Sequence, residues 1–374
     1  MVGNNSNEQF QASGAYIFRP DGDPVCMNVR SFIVTKGEQF NEIHQIYNDF
    51  ISQTIRLYND SKTLSFEWIV GPIDISDGIG KEVITRFTTD LSSNSTFYTD
   101  SNGREVLTRT RNYRASWPFN QTESVSGNYY PVNSRIFIRD EKEDANNQRQ
   151  LTLVTDRSQG GSSLTDGCIE IMLHRRILHD DSLGVHEALN ETGIDGNGLV
   201  VLGNFHLIFN STKNSAKLHR ELSHKINTQP LFVFTNPGKI NSLKLKVDDY
   251  FTFLNGSLPE NIHLLTLMTD FDSGSNNSLI IRLEHFYELS DDSILSQAVK
   301  INLQYLFNEN IISVLGVEEL SLGANMGADK VDERLMFDRS IYKVTNKSLT
   351  LNEVILNSME IRTFRLWYII NVKN

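Results

Sequence analysis

Apolar and polar residues alternate with a period of two in one short run after another: Leu64-Ser-Phe-Glu-Trp68, Arg135-Ile-Phe-Ile-Arg139, Ile169-Glu-Ile-Met-Leu173 and Phe205-His-Leu-Ile-Phe209. Neighbouring side chains on an extended chain point to opposite faces, so each run predicts a strand with one face buried. Leu151-Thr-Leu-Val154 and Leu199-Val-Val-Leu202 add shorter apolar runs. Asn102-Gly103, set between Phe97-Tyr98 and Val106-Leu107, supplies two residues that accept positive φ and marks a hairpin. The first part of the chain therefore reads as antiparallel sheet.

Near Asn210 the period changes. Leu218, Leu222 and Ile226 recur at four-residue spacing among charged residues and predict one short amphipathic helix. Gln229-Pro230 breaks it and marks the domain boundary, giving residues 1–228 and 229–374. With 374 residues the chain also exceeds the size at which a single core stops growing. In the second domain Leu231-Phe-Val-Phe234, Ile262-His-Leu-Leu-Thr-Leu267, Leu279-Ile-Ile-Arg-Leu-Glu-His285, Ile301-Asn-Leu-Gln-Tyr305, Leu349-Thr-Leu351 and Met359-Glu-Ile-Arg-Thr-Phe364 read as strands. The polar stretches 140–150 and 270–277 read as exposed loops. Short strands without βαβ alternation indicate a mainly β protein: a large antiparallel β-sandwich followed by a smaller one.

A formal charge of −11 argues against a general nucleic-acid or anionic-membrane binder, both of which use basic stripes. No apolar run is long enough for a membrane span. Met1 to Gln11 is polar and Asn-rich, without the basic and apolar regions of a secretory leader. The two cysteines, Cys26 and Cys168, are either separate thiols or one bridge. Sequons stand at Asn4, Asn59, Asn94, Asn120, Asn190, Asn210, Asn255, Asn276 and Asn346, and the last eight are candidate glycosylation sites.

Catalytic chemistry has few candidates. Asp180-Asp181, Asp248-Asp249 and Asp291-Asp292 are adjacent, and neighbours on a strand diverge, so they read as solvated turns. The nine histidines are scattered; His174, His179 and His186 form the one loose group, close to Asp180. Gly160-Gly-Ser-Ser163 is neither a nucleophile elbow nor a phosphate loop, and reads as a tight turn or a loop approaching a sugar or a neighbouring domain. Arg175-Arg176 is either a solvated strand end or a guanidinium holding a carboxylate. Tyr16 either packs or offers its hydroxyl at a cleft wall. Trp68 reads as core, and Trp117 as the better surface aromatic.

Several blocks occur in order: Ser13-Gly-Ala-Tyr-Ile-Phe-Arg-Pro20, Val70-Gly-Pro-Ile73, Gly80-Lys-Glu-Val-Ile84, Phe97-Tyr-Thr-Asp-Ser-Asn-Gly-Arg-Glu105, Gly127-Asn-Tyr-Tyr-Pro-Val-Asn133, Thr155-Asp-Arg-Ser-Gln-Gly-Gly-Ser-Ser163, Arg175-Arg176 and Met359-Glu-Ile-Arg-Thr-Phe364. Together they resemble the lysosomal-type α-mannosidases of glycoside hydrolase family 38, and specifically their C-terminal β-sandwich half. The resemblance implies a galactose-mutarotase-like sandwich followed by an Ig-like one. It also implies a retaining, zinc-dependent hydrolase of terminal α-mannosides on glycoproteins, lysosomal or secreted. The zinc ligands and the nucleophilic carboxylate would lie in an N-terminal catalytic half, the partner of this chain, so this chain would hold neither metal nor catalytic residue and would be inactive alone. Tyr16 would contact a mannose hydroxyl and Arg176 would support the cleft electrostatically. The alternatives are a non-catalytic carbohydrate-binding β-sandwich and a purely structural interaction module.

Overall fold

The computed structural model describes residues 12–143, 147–180, 184, 186–234, 252–270, 277–333 and 353–371. The chain divides into two compact units, residues 1–229 and 230–374.

The first unit contains β1 (Ser31–Lys36), β2 (Phe40–Ile46), β3 (Ile51–Tyr58), β4 (Leu64–Val70), β5 (Lys81–Thr88), β6 (Thr96–Ser101), β7 (Glu105–Thr110), β8 (Tyr130–Val132), β9 (Arg135–Arg139), β10 (Arg149–Thr155), β11 (Gln159–Ser162), β12 (Cys168–Arg176) and β13 (Val201–Ser211). A nine-stranded sheet runs β1-β2-β3-β4-β13-β10-β9-β6-β7, and a four-stranded sheet runs β5-β12-β11-β8. Phe66, Trp68, Phe97, Ile136, Leu153 and Phe205 from the large sheet share one core with Val132, Ile169 and Ile171 from the small one. The alternation in Arg135-Ile-Phe-Ile-Arg139 and Ile169-Glu-Ile-Met-Leu173 is what sends every second residue into it. Each fully buried side chain of this size contributes about 1.5–3 kcal/mol. Trp68 is core, as its strand pattern requires, and it lies across Gly203, where an added β carbon would stand 2.2 Å from the indole.

The Asn102-Gly103 hairpin forms between β6 and β7, with both residues at positive φ. Its anchor is Asp100, buried at 2% exposure. Asp100 Oδ1 accepts from the amides of Asn133, Ser134 and Arg135 at 2.8–3.0 Å, and Oδ2 from that of Gly103 at 2.7 Å. One carboxylate thus satisfies four amides in two segments distant along the chain, the hairpin turn and the start of β9. Between β7 and β8 the chain leaves the sheet at residues 111–129. Asn112 and buried Asn128 close the neck of this excursion reciprocally, backbone amide to side-chain oxygen and side-chain amide to side-chain oxygen, each at 2.8 Å.

The helix α1 (Thr212–Asn227) forms where the four-residue spacing places it and packs on β10 and β13. Its fully buried face is a different one. Ser215, Ala216, His219, Arg220 and Ser223 are buried, whereas Leu218, Leu222 and Ile226 are only half-buried. The partners on the sheet explain it: the His219 ring stacks on Phe137 with centroids 5.7 Å apart, and Arg220 Nη1 donates to the Arg104 carbonyl at 2.9 Å. Serine and alanine leave room for that approach.

The second unit contains β14 (Ile262–Thr269), β15 (Ser278–His285), β16 (Val299–Asn302), β17 (Ile312–Leu320), β18 (Glu353–Leu356) and β19 (Ile361–Ile370). The sheet β14-β15-β19-β17 packs against the pair β16-β18 through Ile281, Leu283, Phe364 and Leu366 on one side and Ile301, Val354 and Leu356 on the other. On β19 Arg365 faces away from this core, whereas Arg362 shares the face of Phe364 and lies at the core's margin. Arg362 bonds Glu319 through Nε and Nη2, and Arg365 bonds Asp270 and Glu318.

Some expected strands differ. Residues 231–234 form no strand, pair with none of the described residues, and have all four side chains exposed. The run from Ile301 is paired only through Asn302. Residues 349–351 lie outside those described. Conversely, β1 to β3 and β17 were not among the expected strands. In β1 all six residues are exposed, so no face is marked by alternation.

Candidate functional site

The outer face of the four-stranded sheet carries charge. On β5 and β12 the residues that alternate with the core positions are Glu82, Arg86 and Glu170, and the segments 12–20 and 121–130 cover them. Glu170, 1% exposed, accepts from Arg86 Nε and from the Tyr129 hydroxyl at 2.6 Å. Burial, and then the Glu170 carboxylate, push the Tyr129 phenol well above its ordinary range, so it stays a neutral donor. The Tyr129 ring in turn meets Phe18 edge to face at 4.8 Å.

At the end of β12 the two arginines part company, because adjacent strand residues point to opposite faces. Arg175 pairs across the sheet with Glu82, donating to Oε1 from Nε at 2.8 Å and from Nη2. Its Nη2 also donates to the Ile17 carbonyl at 2.9 Å. Ser13 Oγ donates to the same Glu82 oxygen at 2.8 Å. Gly14 N donates to the Ile17 carbonyl at 3.1 Å and closes a turn with Tyr16 at its apex, 60% exposed. Arg176 faces elsewhere: its Nη1 donates to the Ile73 carbonyl at 2.7 Å, and a β carbon at Gly198 would stand 2.6 Å from that nitrogen. Arg176 Nε is buried with no hydrogen-bond partner among the described residues.

The structure therefore brings the Tyr16 turn to Arg175, the neighbour of Arg176, while the bonds that hold Tyr16's turn and those that hold Arg176 are separate. Sequence reasoning left Glu82 unmarked. Its residue stood in the Gly80-Lys-Glu-Val-Ile84 block, but only the strand register places that glutamate opposite Arg175.

Other candidates resolve plainly. Gly160-Gly161 is not a turn but part of β11, without positive φ; a β carbon at Gly161 would stand 2.7 Å from Val132 and 2.8 Å from Ile171, so the glycine makes room for packing. Asp292 Oδ1 accepts from the amides of Ile294 and Leu295, a turn role. Asp181, Asp248 and Asp249 lie outside the described residues. Cys26 is exposed, Cys168 is buried, and both are free thiols. Asn59, Asn94, Asn120, Asn190 and Asn255 are exposed and Asn210 is half-buried; Asn4, Asn276 and Asn346 lie outside the described residues. Trp117 is 59% exposed, on the 111–129 excursion that also carries exposed Tyr113.

The loose histidine group does not suit a zinc ion. His174, His179 and His186 do not bring their ligand atoms within 4.8 Å of one another. His174 Nε2 lies 3.3 Å from the Leu199 carbonyl, and burial lowers its pKa. His186 lies 3.7 Å from Asp180.

Residues 4–183 match the model of the glycosyl hydrolases family 38 C-terminal domain. The chain carries this family's C-terminal domain. It is 42% identical to the lysosomal alpha-mannosidase of Cavia porcellus, over 95% of this chain and 35% of that protein. It is 41% identical to the lysosomal alpha-mannosidase of Homo sapiens, over 96% of this chain and 35% of that protein. An alpha-mannosidase of Canavalia ensiformis is 40% identical over 84% of this chain and 32% of its own length. The chain thus spans about a third of the length of these relatives. The crystal structure of an alpha-mannosidase from Enterococcus faecalis V583 aligns with a TM-score of 0.51 at 13% identity, over 90% of this chain and 35% of that one, which shows the shared fold. The family 38 resemblance read from the ordered blocks and the mainly antiparallel β architecture both stand on these findings.

Proposed function

We propose that this family 38 chain is the C-terminal β part of a retaining, zinc-dependent α-mannosidase that removes terminal α-mannosides from glycoprotein glycans in a lysosomal or secreted setting. In this reading it completes the sugar site of a catalytic portion that forms its partner. The observation that carries it is identity of about 40% to several α-mannosidases along nearly the whole chain.

Retaining glycoside hydrolysis needs a nucleophilic carboxylate and an acid/base carboxyl about 5–5.5 Å apart. In this reading both belong to the catalytic portion, together with the zinc, which when bound would act there as a Lewis acid. No step is assigned to the metal here, since the histidines tested above do not fit it. What this chain's own residues do is hold and orient. Tyr16 donates its hydroxyl to a mannose hydroxyl from a turn already fixed at its base, so little reorganisation is needed when sugar arrives. Arg176, anchored on the Ile73 carbonyl, places a permanent positive charge near an anionic nucleophile and favours its ionised form.

The test is turnover of an aryl α-mannoside. The purified chain is expected to show none, and the complete enzyme to lose activity on Tyr16→Phe or Arg176→Met. Turnover by the chain alone overturns the proposal. Mannan binding by the chain alone, with both variants harmless in the complete enzyme, would instead favour an independent carbohydrate-binding module.

A further inference from the structure

The turn that presents Tyr16 is enclosed at its base and open at its tip. Ser13 is 2% exposed and Glu82 1%, against 60% for Tyr16. Three segments remote in sequence meet there: the turn itself, β5 and β12. Glu82 Oε1 gathers Ser13 Oγ and both Nε and Nη2 of Arg175, and the same Nη2 reaches the Ile17 carbonyl. Ser13 Oγ also accepts from the Arg19 amide at 3.1 Å. The turn is thus tied on both sides of Tyr16, at position 13 before it and at 17 and 19 after it.

A buried ion pair adds little net stability over apolar packing of the same volume, because desolvation offsets the attraction. A planar guanidinium, however, fixes direction: its rigid fork serves two acceptors at once, which a single ammonium does not reproduce. We infer that Arg175 and Glu82 are positioning residues that set the direction of the Tyr16 phenol. They act through the turn, independently of Arg176, whose guanidinium is held on the opposite face by other bonds. The inference rests on the reading of Tyr16 as a sugar contact.

Two measurements test it, on Arg175→Lys, Glu82→Gln and the milder Ser13→Ala, which removes one hydroxyl and leaves the charge pair intact. The first is amide hydrogen exchange across residues 12–19 of the chain, with thermal melting to show that each variant folds. Loss of one of these bonds should speed exchange about tenfold. The second is kcat/KM of the complete enzyme on an aryl α-mannoside, with and without Y16F. A misdirected phenol should cost about tenfold to a hundredfold when Tyr16 is present. In the Y16F background the same substitutions should cost less than about twofold, because they share one path. Unchanged exchange in R175K and S13A, or equal losses in both backgrounds, overturns the inference whatever Y16F does alone. A fully active Y16F enzyme overturns instead the reading of Tyr16 on which it rests.

Discussion

The two units are both antiparallel sandwiches, yet they treat charge differently. In the second, the ion pairs Arg362–Glu319, at the margin of the core face, and Arg365–Glu318, on the opposite face, are partly exposed. Asp270 and Glu284 are its buried carboxylates among the described residues, and the sandwich is closed by apolar side chains. In the first, enclosure goes further and takes in arginines: Glu82, Asp100, Arg135, Glu170 and Arg220 are each at most 2% exposed. Enclosed charge stabilises weakly but fixes geometry. The difference teaches that the first unit spends its polar residues on shape, and it is this unit that carries the family's C-terminal domain match.

That comparison can be broken at Asp100. Removing its carboxylate leaves two buried amides, Ser134 and Arg135, and two half-buried ones, Gly103 and Asn133, without this acceptor. At about 1–3 kcal/mol for each buried one, Asp100→Ala should destabilise the first unit by about 2 kcal/mol or more. Asp100→Asn, which keeps one acceptor oxygen, should cost roughly half of that. Hydrogen exchange in β9 and β10 reads the effect, and a loss below about 1 kcal/mol would mean that the enclosed carboxylate does not organise the corner.

In the second unit the corresponding effect should come from apolar burial. Phe364 is wholly buried, and Phe364→Ala should cost about 3–5 kcal/mol, seen as faster exchange in β15 and β19. Equal loosening of β9 and β10 would erase the distinction between the units.

A smaller effect depends on pH. Burial first, and then the charges of Arg135, Arg220 and Arg139, lower the pKa of His219 well below its ordinary 6.5. In the unfolded chain His219 regains that ordinary value, so as pH falls below about 6.5 the unfolded state takes up the proton first. The contribution of neutral His219 is therefore complete above pH 6.5 and is lost on acidification, at up to about 1.4 kcal/mol per pH unit. Urea unfolding between pH 7 and 5 should show a shallower slope for His219→Gln than for the parent chain. Identical slopes would mean that the helix does not hold its imidazole neutral.

Much of the fold was legible because a strand with one buried face must alternate, and β4, β9, β12 and β13 do. The Asn102-Gly103 turn was legible because positive φ selects those residues. β1 was not, since both of its faces are exposed and nothing enforces a pattern. The buried face of α1 was not, since spacing reports apolar residues, whereas His219 and Arg220 are buried by partners that only the folded sheet supplies. At the candidate site the ordered blocks pointed to Tyr16 and Arg176. The Arg175–Glu82 pair was hidden because its two members are far apart in sequence and become neighbours only through the β5–β12 register.

The paired asparagines at positions 112 and 128 have a consequence for how the molecule can change. They cinch the excursion between β7 and β8 into a closed purse whose contents, including Tyr113, Trp117 and Asn120, hang outside the sheets. Closing such a purse grows more costly only slowly with its size, by about 0.6 kcal/mol per doubling. Replacing the exposed Tyr113, Trp117 or Asn120 leaves the drawstring and the sandwich beneath it as they are, so the surface chemistry of this tip is free to diverge, while residues 121–129 stay tied to the scaffold through Arg19 and Glu170.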